Sequence, residues 1–446
     1  AGGESRMSAP VITAEPAAAT VSRAIRNDSL WLFGGYATTA AVGFVFWIVA
    51  ALRVPPELLG ADAALISVFT AAAAVTSSGI GSAMVVMLPV AGTQRPGLVR
   101  VAYLATVGFG LAAGLIAGTV VATVLPVAGV PAGVLVALVA LMTTVWAVFN
   151  VQDQVLTGLN AARWTLFLNG PANLGKLLLT VLLTLPLLAV SHAVVVATVV
   201  PAAVAVLVTV TWLVPRLLRR APVPAATAEQ LDGVAWLGAL RSFAVRDTAA
   251  IGLLLGVGLL VPFLVTVLAG PASGALYALA YQISVALDLV TTGVATALAK
   301  NSSGARSTGI GLSGRLVGQV LVVVAVAAVA ITAATPLAFG LLGRDYDPAQ
   351  ATLVVALLSL GCVVRSPYGI WSSLMRAHQR VTPVLIANAS AAVVLVALVL
   401  VLVPVAGPAG AAGAMLVAGV GQGGLGVAGL RRLRRRNVEH GEEQPC

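Results

Sequence analysis

The sequence predicts an all-α integral membrane protein of about twelve transmembrane helices, in two six-helix lobes related by a parallel internal repeat. Composition comes first. Only 9% of the 446 residues are charged and 59% are hydrophobic, against roughly 25% charged in an ordinary soluble domain. The apolar excess has to face lipid. The second observation is run length. Stretches such as 30–52, 101–124 and 384–403 carry no charge and match the ~20 residues that a membrane helix needs. In lipid the backbone must bond within its own segment or close a barrel, and long non-alternating runs select helices. The third is where the basic residues fall.

The spans are read at 29–52, 62–88, 101–125, 132–152, 165–188, 193–214, 247–269, 274–298, 316–341, 350–373, 382–403 and 409–429. With both termini inside, 21 of the 25 basic residues lie in cytoplasmic segments. Arg53 and Arg344 alone fall in outer loops, and Lys176 and Arg365 fall within spans. That asymmetry sets orientation and an even helix count. The net charge of +10 therefore reads as a topology signal, and a nucleic-acid partner is not expected.

The organisation that follows is a cytoplasmic N-terminal tail (1–28), an N-lobe (29–214), a cytoplasmic linker (215–246), a C-lobe (247–430) and a basic cytoplasmic tail (431–446). Residues 1–28 do not resemble a cleavable signal peptide, and Met7 is expected as the natural start. Segment 60–83 can be laid over 274–297 at an offset of 214, with Ser77, Ser78 and Gly79 over Thr291, Thr292 and Gly293. Six helices per half make the two halves parallel, with an axis along the membrane normal.

Several motifs lead nowhere. Gly170, Gly175 and Lys176 nearly spell a phosphate-binding loop, but Leu177 stands where Ser or Thr is needed and no strand precedes it. Gly421, Gly423 and Gly426 match a dinucleotide fingerprint in spacing only, and small-residue helix packing accounts for them better. Gly110, Gly114 and Gly118 present one smooth face to a neighbouring helix. Cys362 and Cys446 form no disulfide framework. His192, His378 and His440 lack metal-ligand spacing, so neither a metal nor a resident cofactor is expected. Glu57 and Asp62 read as solvated loop charges.

Function is sought in the polar residues inside the spans. Lys176, Asp288 and Arg365 each cost ~2.5–3.5 kcal/mol at a helix centre. Such groups face a bundle interior or a watery cavity, either as an ion pathway or as a structural ion pair. Tyr277, Tyr281, Ser284, Asp288 and Thr291 are spaced to share one helical face. Ser67, Thr70 and Ser77 occupy repeat-related positions in helix two. Two matched stripes suggest a hydrated cavity between the halves, although single hydroxyls can also bond their own backbone.

Asn27 through Phe33, the Gly43-to-Trp47 stretch and Pro56 through Gly60 resemble the polysaccharide-unit flippases of the multidrug/oligosaccharidyl-lipid/polysaccharide (MOP) exporter superfamily, as does Arg163-Trp164-Thr165. The resemblance implies a V-shaped bundle with a central cavity and alternating access. It implies a transporter, not an enzyme, that moves a lipid-linked oligosaccharide from the inner to the outer leaflet of a bacterial cell membrane. Membrane lipids and polysaccharide assembly enzymes would be its partners. The chain lacks the charged cluster in helix one of lipid-II flippases, which points to a polysaccharide-type member. In this scheme Lys176 and Arg365 attract the pyrophosphate, Tyr277 and Tyr281 contact sugars, and Asp288 balances charge or couples to a cation or proton. A cation-coupled multidrug or metabolite antiporter of the same superfamily is the first alternative. It would favour an acidic cavity, whereas two of the three intramembrane charges here are basic. A membrane polysaccharide polymerase or glycosyltransferase is the second, and it would require a large catalytic outer loop that the sequence does not contain.

Overall fold

The computed structural model describes residues 42–125, 127, 129–188, 190–220, 235–302, 309–343, 345–377 and 382–441. The first half of the expected helix one, the whole N-terminal tail and residues 221–234 of the expected linker lie outside them. The described residues are helical almost throughout: α1 (Val42–Arg53), α2 (Pro56–Met87), α3 (Arg95–Val124), α4 (Ala132–Gly158), α5 (Arg163–Leu183), α6 (Ala193–Val208), α7 (Val214–Arg220), α8 (Ala235–Asp247), α9 (Leu253–Ala269), α10 (Pro271–Ser302), α11 (Gly309–Leu341), α12 (Pro348–Ala377) and α13 (Thr382–Gly441). Single π turns, Thr209–Leu213 and Thr248–Gly252, join α6 to α7 and α8 to α9. Gly407, at φ +57° between Pro404 and Pro408, folds α13 into two arms. Each joined pair counts as one rod and α13 as two, which makes twelve helical rods among the described residues.

Among the described residues, eight helices are long and apolar enough to cross a membrane. Helix α2 is the axis of the bundle: 67% of its most apolar window is buried, against 6% for α5, whose Leu174 and Leu178 point outward. It packs on α3 and α4 in its own half and on α9 and α10 in the other. Lipid tails are as apolar as leucine, so close packing of small residues must hold such helices together. A Cβ added at Gly114 would lie 2.6 Å from the Ala140 Cα, and one at Gly118 2.8 Å from the Val136 Cα. The glycine face of α3 is therefore the seat of α4, as its spacing predicts. Gly423 and Gly426 likewise rest on α12, against the Val364 carbonyl and the Tyr368 amide. They are helix-packing residues rather than a nucleotide loop. Gly170, Gly175 and Lys176 lie within α5, with no loop to cradle a phosphate.

The repeat is visible in the two central helices. Both α2 and α10 are 32 residues long and open on a proline, a residue suited to the first helical turn. Their matched glycines are both points of close approach. A Cβ on Gly60 would meet the Pro271 carbonyl at 1.8 Å, and one on Gly274 the Thr266 hydroxyl at 2.0 Å.

Several boundaries differ from those read in the sequence. Helix six continues past 214 to Arg220, and helix seven begins at 235 rather than 247. Hydropathy marks where lipid ends, while the backbone bonds of a helix continue into water. For the same reason the basic stretch from Arg431 to Arg436 is the end of α13 rather than a separate tail.

Candidate functional site

The expected constellation of Lys176, Asp288 and Arg365 separates into two places. Asp288 on α10 and Arg365 on α12 form an ion pair, with Arg365 Nη2 donating to Asp288 Oδ2. About a third of each side chain is exposed, because the pair lines a cavity of about 340 Å³ between α9, α10, α12 and α13. Tyr281, Tyr368, Asn388 and Gln422 line the same cavity. The Tyr368 hydroxyl donates to Asn388 Oδ1. The Cys362 thiol, 3.7 Å from Arg365 Nη2 and from the Ser284 carbonyl, closes one wall. A water occupies about 30 Å³ of liquid, so the space holds on the order of ten waters. That leaves room for hydration around the ion pair.

Lys176 stands apart. Its ammonium lies 3.7 Å from the ring centroid of Phe46 and 6.0 Å from that of Trp47, both on α1. Among the described residues no carboxylate pairs with it. Contact with ring faces partly replaces lost water around a cation.

The hydroxyl stripes do not share one cavity. Tyr281 and Asp288 line the α9–α13 space, whereas Tyr277 is fully buried and stacks on Tyr281 at 6.1 Å. Its hydroxyl has no hydrogen-bond partner among the described residues. Ser284 is buried and bonds the Ala280 carbonyl at 3.3 Å. The side chain of Thr291 lies outside the described residues. In α2, Ser67 and Ser77 are buried, and Thr70 bonds the Ile66 carbonyl at 2.6 Å. Asn150 reaches Ser77 at 3.4 Å. Backbone bonding thus accounts for Thr70 and Ser284, and the cavity is asymmetric, confined to helices of the second half.

Two acidic residues gain roles that sequence reasoning missed. Asp62 is a fully buried residue of α2 rather than a solvated loop charge. Its Oδ2 accepts the Val194 amide at 3.1 Å, and Oδ1 lies 2.6 Å from His192 Nδ1. His192 precedes the first turn of α6, so Asp62 satisfies an orphan amide there and complements the positive helix end. The carboxylate raises the His192 pKa through this hydrogen bond, against the opposing effect of burial. Asp153, expected just beyond helix four, lies inside α4 and accepts the Asn169 side-chain amide at 2.8 Å. Their signal was indirect: each sits within a turn of a span edge, where hydropathy cannot separate a helix end from a loop.

No family model and no curated protein matches the chain in sequence. Its fold is similar to solved transporters along nearly the full length. An inward-facing multidrug-resistance MATE family transporter of the MOP superfamily matches with TM-score 0.67 and 14% identity, over 92% of this chain and 96% of that one. The outward-facing form of such a transporter matches with TM-score 0.59 and 14% identity, over 94% and 97%. The lipid II flippase MurJ, inward closed, matches with TM-score 0.64 and 12% identity, over 91% and 87%. The chain is a multi-pass, all-α membrane protein with the fold of MOP-superfamily transporters.

Proposed function

We propose that the chain is an alternating-access transporter that flips a lipid-linked oligosaccharide, carried on an anionic diphosphate head, from the inner to the outer leaflet of a bacterial membrane. The fold supports transport, but a fold does not name a substrate. TM-scores of 0.67 and 0.64 do not separate a multidrug exporter from a lipid flippase.

Charge favours the flippase. Asp288 is neutralised by Arg365, and Asp62 is engaged by His192 and the start of α6. Lys176 has no carboxylate partner among the described residues and sits beside two aromatic rings. A cation beside aromatic faces suits a phosphate joined to sugars. In its protonated form Lys176 would repel the organic cations that a multidrug antiporter exports. This position of Lys176 is the observation that carries the proposal.

The Asp288–Arg365 pair has a different part. Its cavity leaves room for hydration, and a proton or cation on Asp288 would release Arg365 and loosen α10 from α12. That makes the pair the coupling element, with both termini and the 221–234 connection on the cytoplasmic side. Each elementary charge crossing 100 mV supplies ~2.3 kcal/mol.

Vesicles that hold the purified protein and a fluorescent diphosphate-linked oligosaccharide lipid test the substrate role. Lys176→Ala should slow flipping at least ~10-fold, the scale of one lost charge-assisted contact, and Lys176→Arg should retain most of it. Equal rates in wild type and Lys176→Ala would refute the role of Lys176.

A further inference from the structure

A second ionisable site lies in the first half, at the junction of α4 and α5. Asn169 Nδ2 donates to Asp153 Oδ2 at 2.8 Å. The other oxygen of each group, Asp153 Oδ1 and Asn169 Oδ1, is shut off from solvent and has no hydrogen-bond partner among the described residues. Both are acceptors while Asp153 is a carboxylate, so two buried acceptors go without a hydrogen. Natural structures rarely leave buried polar groups in that condition. One proton repairs both. A carboxylic acid and a primary amide that share one N–H···O bond are complementary through their second atoms.

We propose that Asp153 and Asn169 form a proton-binding site that fastens α5 to α4. The proton arrives from water, an O–H bond forms on Asp153 Oδ1, and that hydroxyl donates to Asn169 Oδ1. The two residues then share a closed pair of hydrogen bonds. Loss of the proton returns it to water and leaves the two acceptors unmatched. The seam is sensitive to this exchange because α4 and α5 otherwise touch little, α5 packing mainly on α6.

The surroundings are sparse in charge. From α3, Tyr103 lies near Asp153, and its buried hydroxyl also lacks a partner among the described residues. Arg100 and Arg163, near the starts of α3 and α5, are exposed, and Arg95 is bonded to the Leu88 and Pro89 carbonyls. Helix α2 packs on the same part of α4, with Gly81 against Gln154. Its own ionisable residues, Glu57 and Asp62, sit at its opposite end. Helix α6 contributes no ionisable residue. Helices α7 and α8, whose Val214 and Leu240 share an apolar cluster with Val151 and Val155 of α4, carry the exposed Arg216, Arg219, Arg241 and Arg246 and the half-buried Asp247.

Infrared difference spectra of the full chain in lipid vesicles, recorded during a pH titration, test the site. Wild type and Asp288→Asn should both gain a carboxylic-acid C=O band as pH falls, and Asp153→Asn should lack it. In Asn169→Leu, or Asn169→Ala if Leu is not tolerated, the band should move to higher frequency, because the acid carbonyl loses its N–H donor. Absence of any band that Asp153→Asn removes would mean that Asp153 stays ionised, held by Tyr103 and Asn169, and would overturn the proposal. So would a band unmoved in both Asn169 variants. A titration that shifts with sodium at constant ionic strength would make this an alkali-cation site instead. All these readouts are independent of which lipid the protein transports.

Discussion

Arg365 on α12 donates a charge-assisted hydrogen bond to Asp288 on α10, and the pair forms one wall of a cavity rather than a sealed core contact. Breaking a fully buried pair typically costs ~3–5 kcal/mol, and a solvent-exposed pair contributes ~0–1 kcal/mol. Side chains about one-third exposed fall between.

Arg365→Ala should therefore destabilise the protein by about 2 kcal/mol. Adding Asp288→Ala should recover much of the loss, because the stranded carboxylate is then gone. Thermal unfolding of the two single variants and the double variant in detergent measures this coupling. Additive losses would show that the pair holds nothing together.

Cysteine labelling maps the cavity. In a background without Cys362 and Cys446, cysteines at Tyr281, Ser372 and Gln422, which line it, should react with a small polar thiol reagent. Cysteines at Tyr277 and Phe69, which are fully buried and do not line it, should not. Uniform labelling at all five positions would contradict the described packing.

Gly114→Leu should force α3 from α4, since even a Cβ would lie 2.6 Å from the Ala140 Cα. Overpacking of this kind costs ~1–3 kcal/mol. Gly108→Leu serves as the control, because nothing lies within 4 Å of its Cβ position. The melting temperature should fall for the first variant and stay near wild type for the second.

His192 confers a pH dependence. Asp62 raises its folded-state pKa above the ~6.5 of a free imidazole. The stabilisation is complete below about 6.5 and is lost as pH rises through the raised value. Wild-type melting temperature, after subtraction of the His192→Gln profile, should decline over that interval. A flat difference would mean that the imidazolium contributes nothing to the cap on α6.

The helices and their small-residue seams were legible because both rest on local pattern. Gly110, Gly114 and Gly118 share a face through helical period alone, and α4 occupies it. The central repeat was legible because α2 and α10 keep equal length and matched glycines. The site was only partly legible. Helical spacing places Tyr277, Tyr281, Ser284 and Asp288 along one side of α10. It cannot say which neighbour covers each turn, so Tyr277 is sealed while Tyr281 meets the cavity. Their shared position inside apolar spans grouped Lys176 with Asp288 and Arg365, but that does not decide which helices adjoin, and α5 lies on the rim. Asp62 was misread and Asp153 passed over because their partners, His192 and Asn169, come from other parts of the chain.

The central claim is that the carrier moves an anionic lipid-linked glycan rather than an organic cation. The most direct measurement compares both in one preparation of vesicles holding the wild-type protein, under the same imposed pH gradient and membrane potential. A fluorescent diphosphate-linked oligosaccharide lipid should cross leaflets faster than in protein-free vesicles, and a fluorescent organic cation should cross no faster. Protein-dependent movement of the cation, with none of the glycolipid, would contradict the account and establish the antiporter reading.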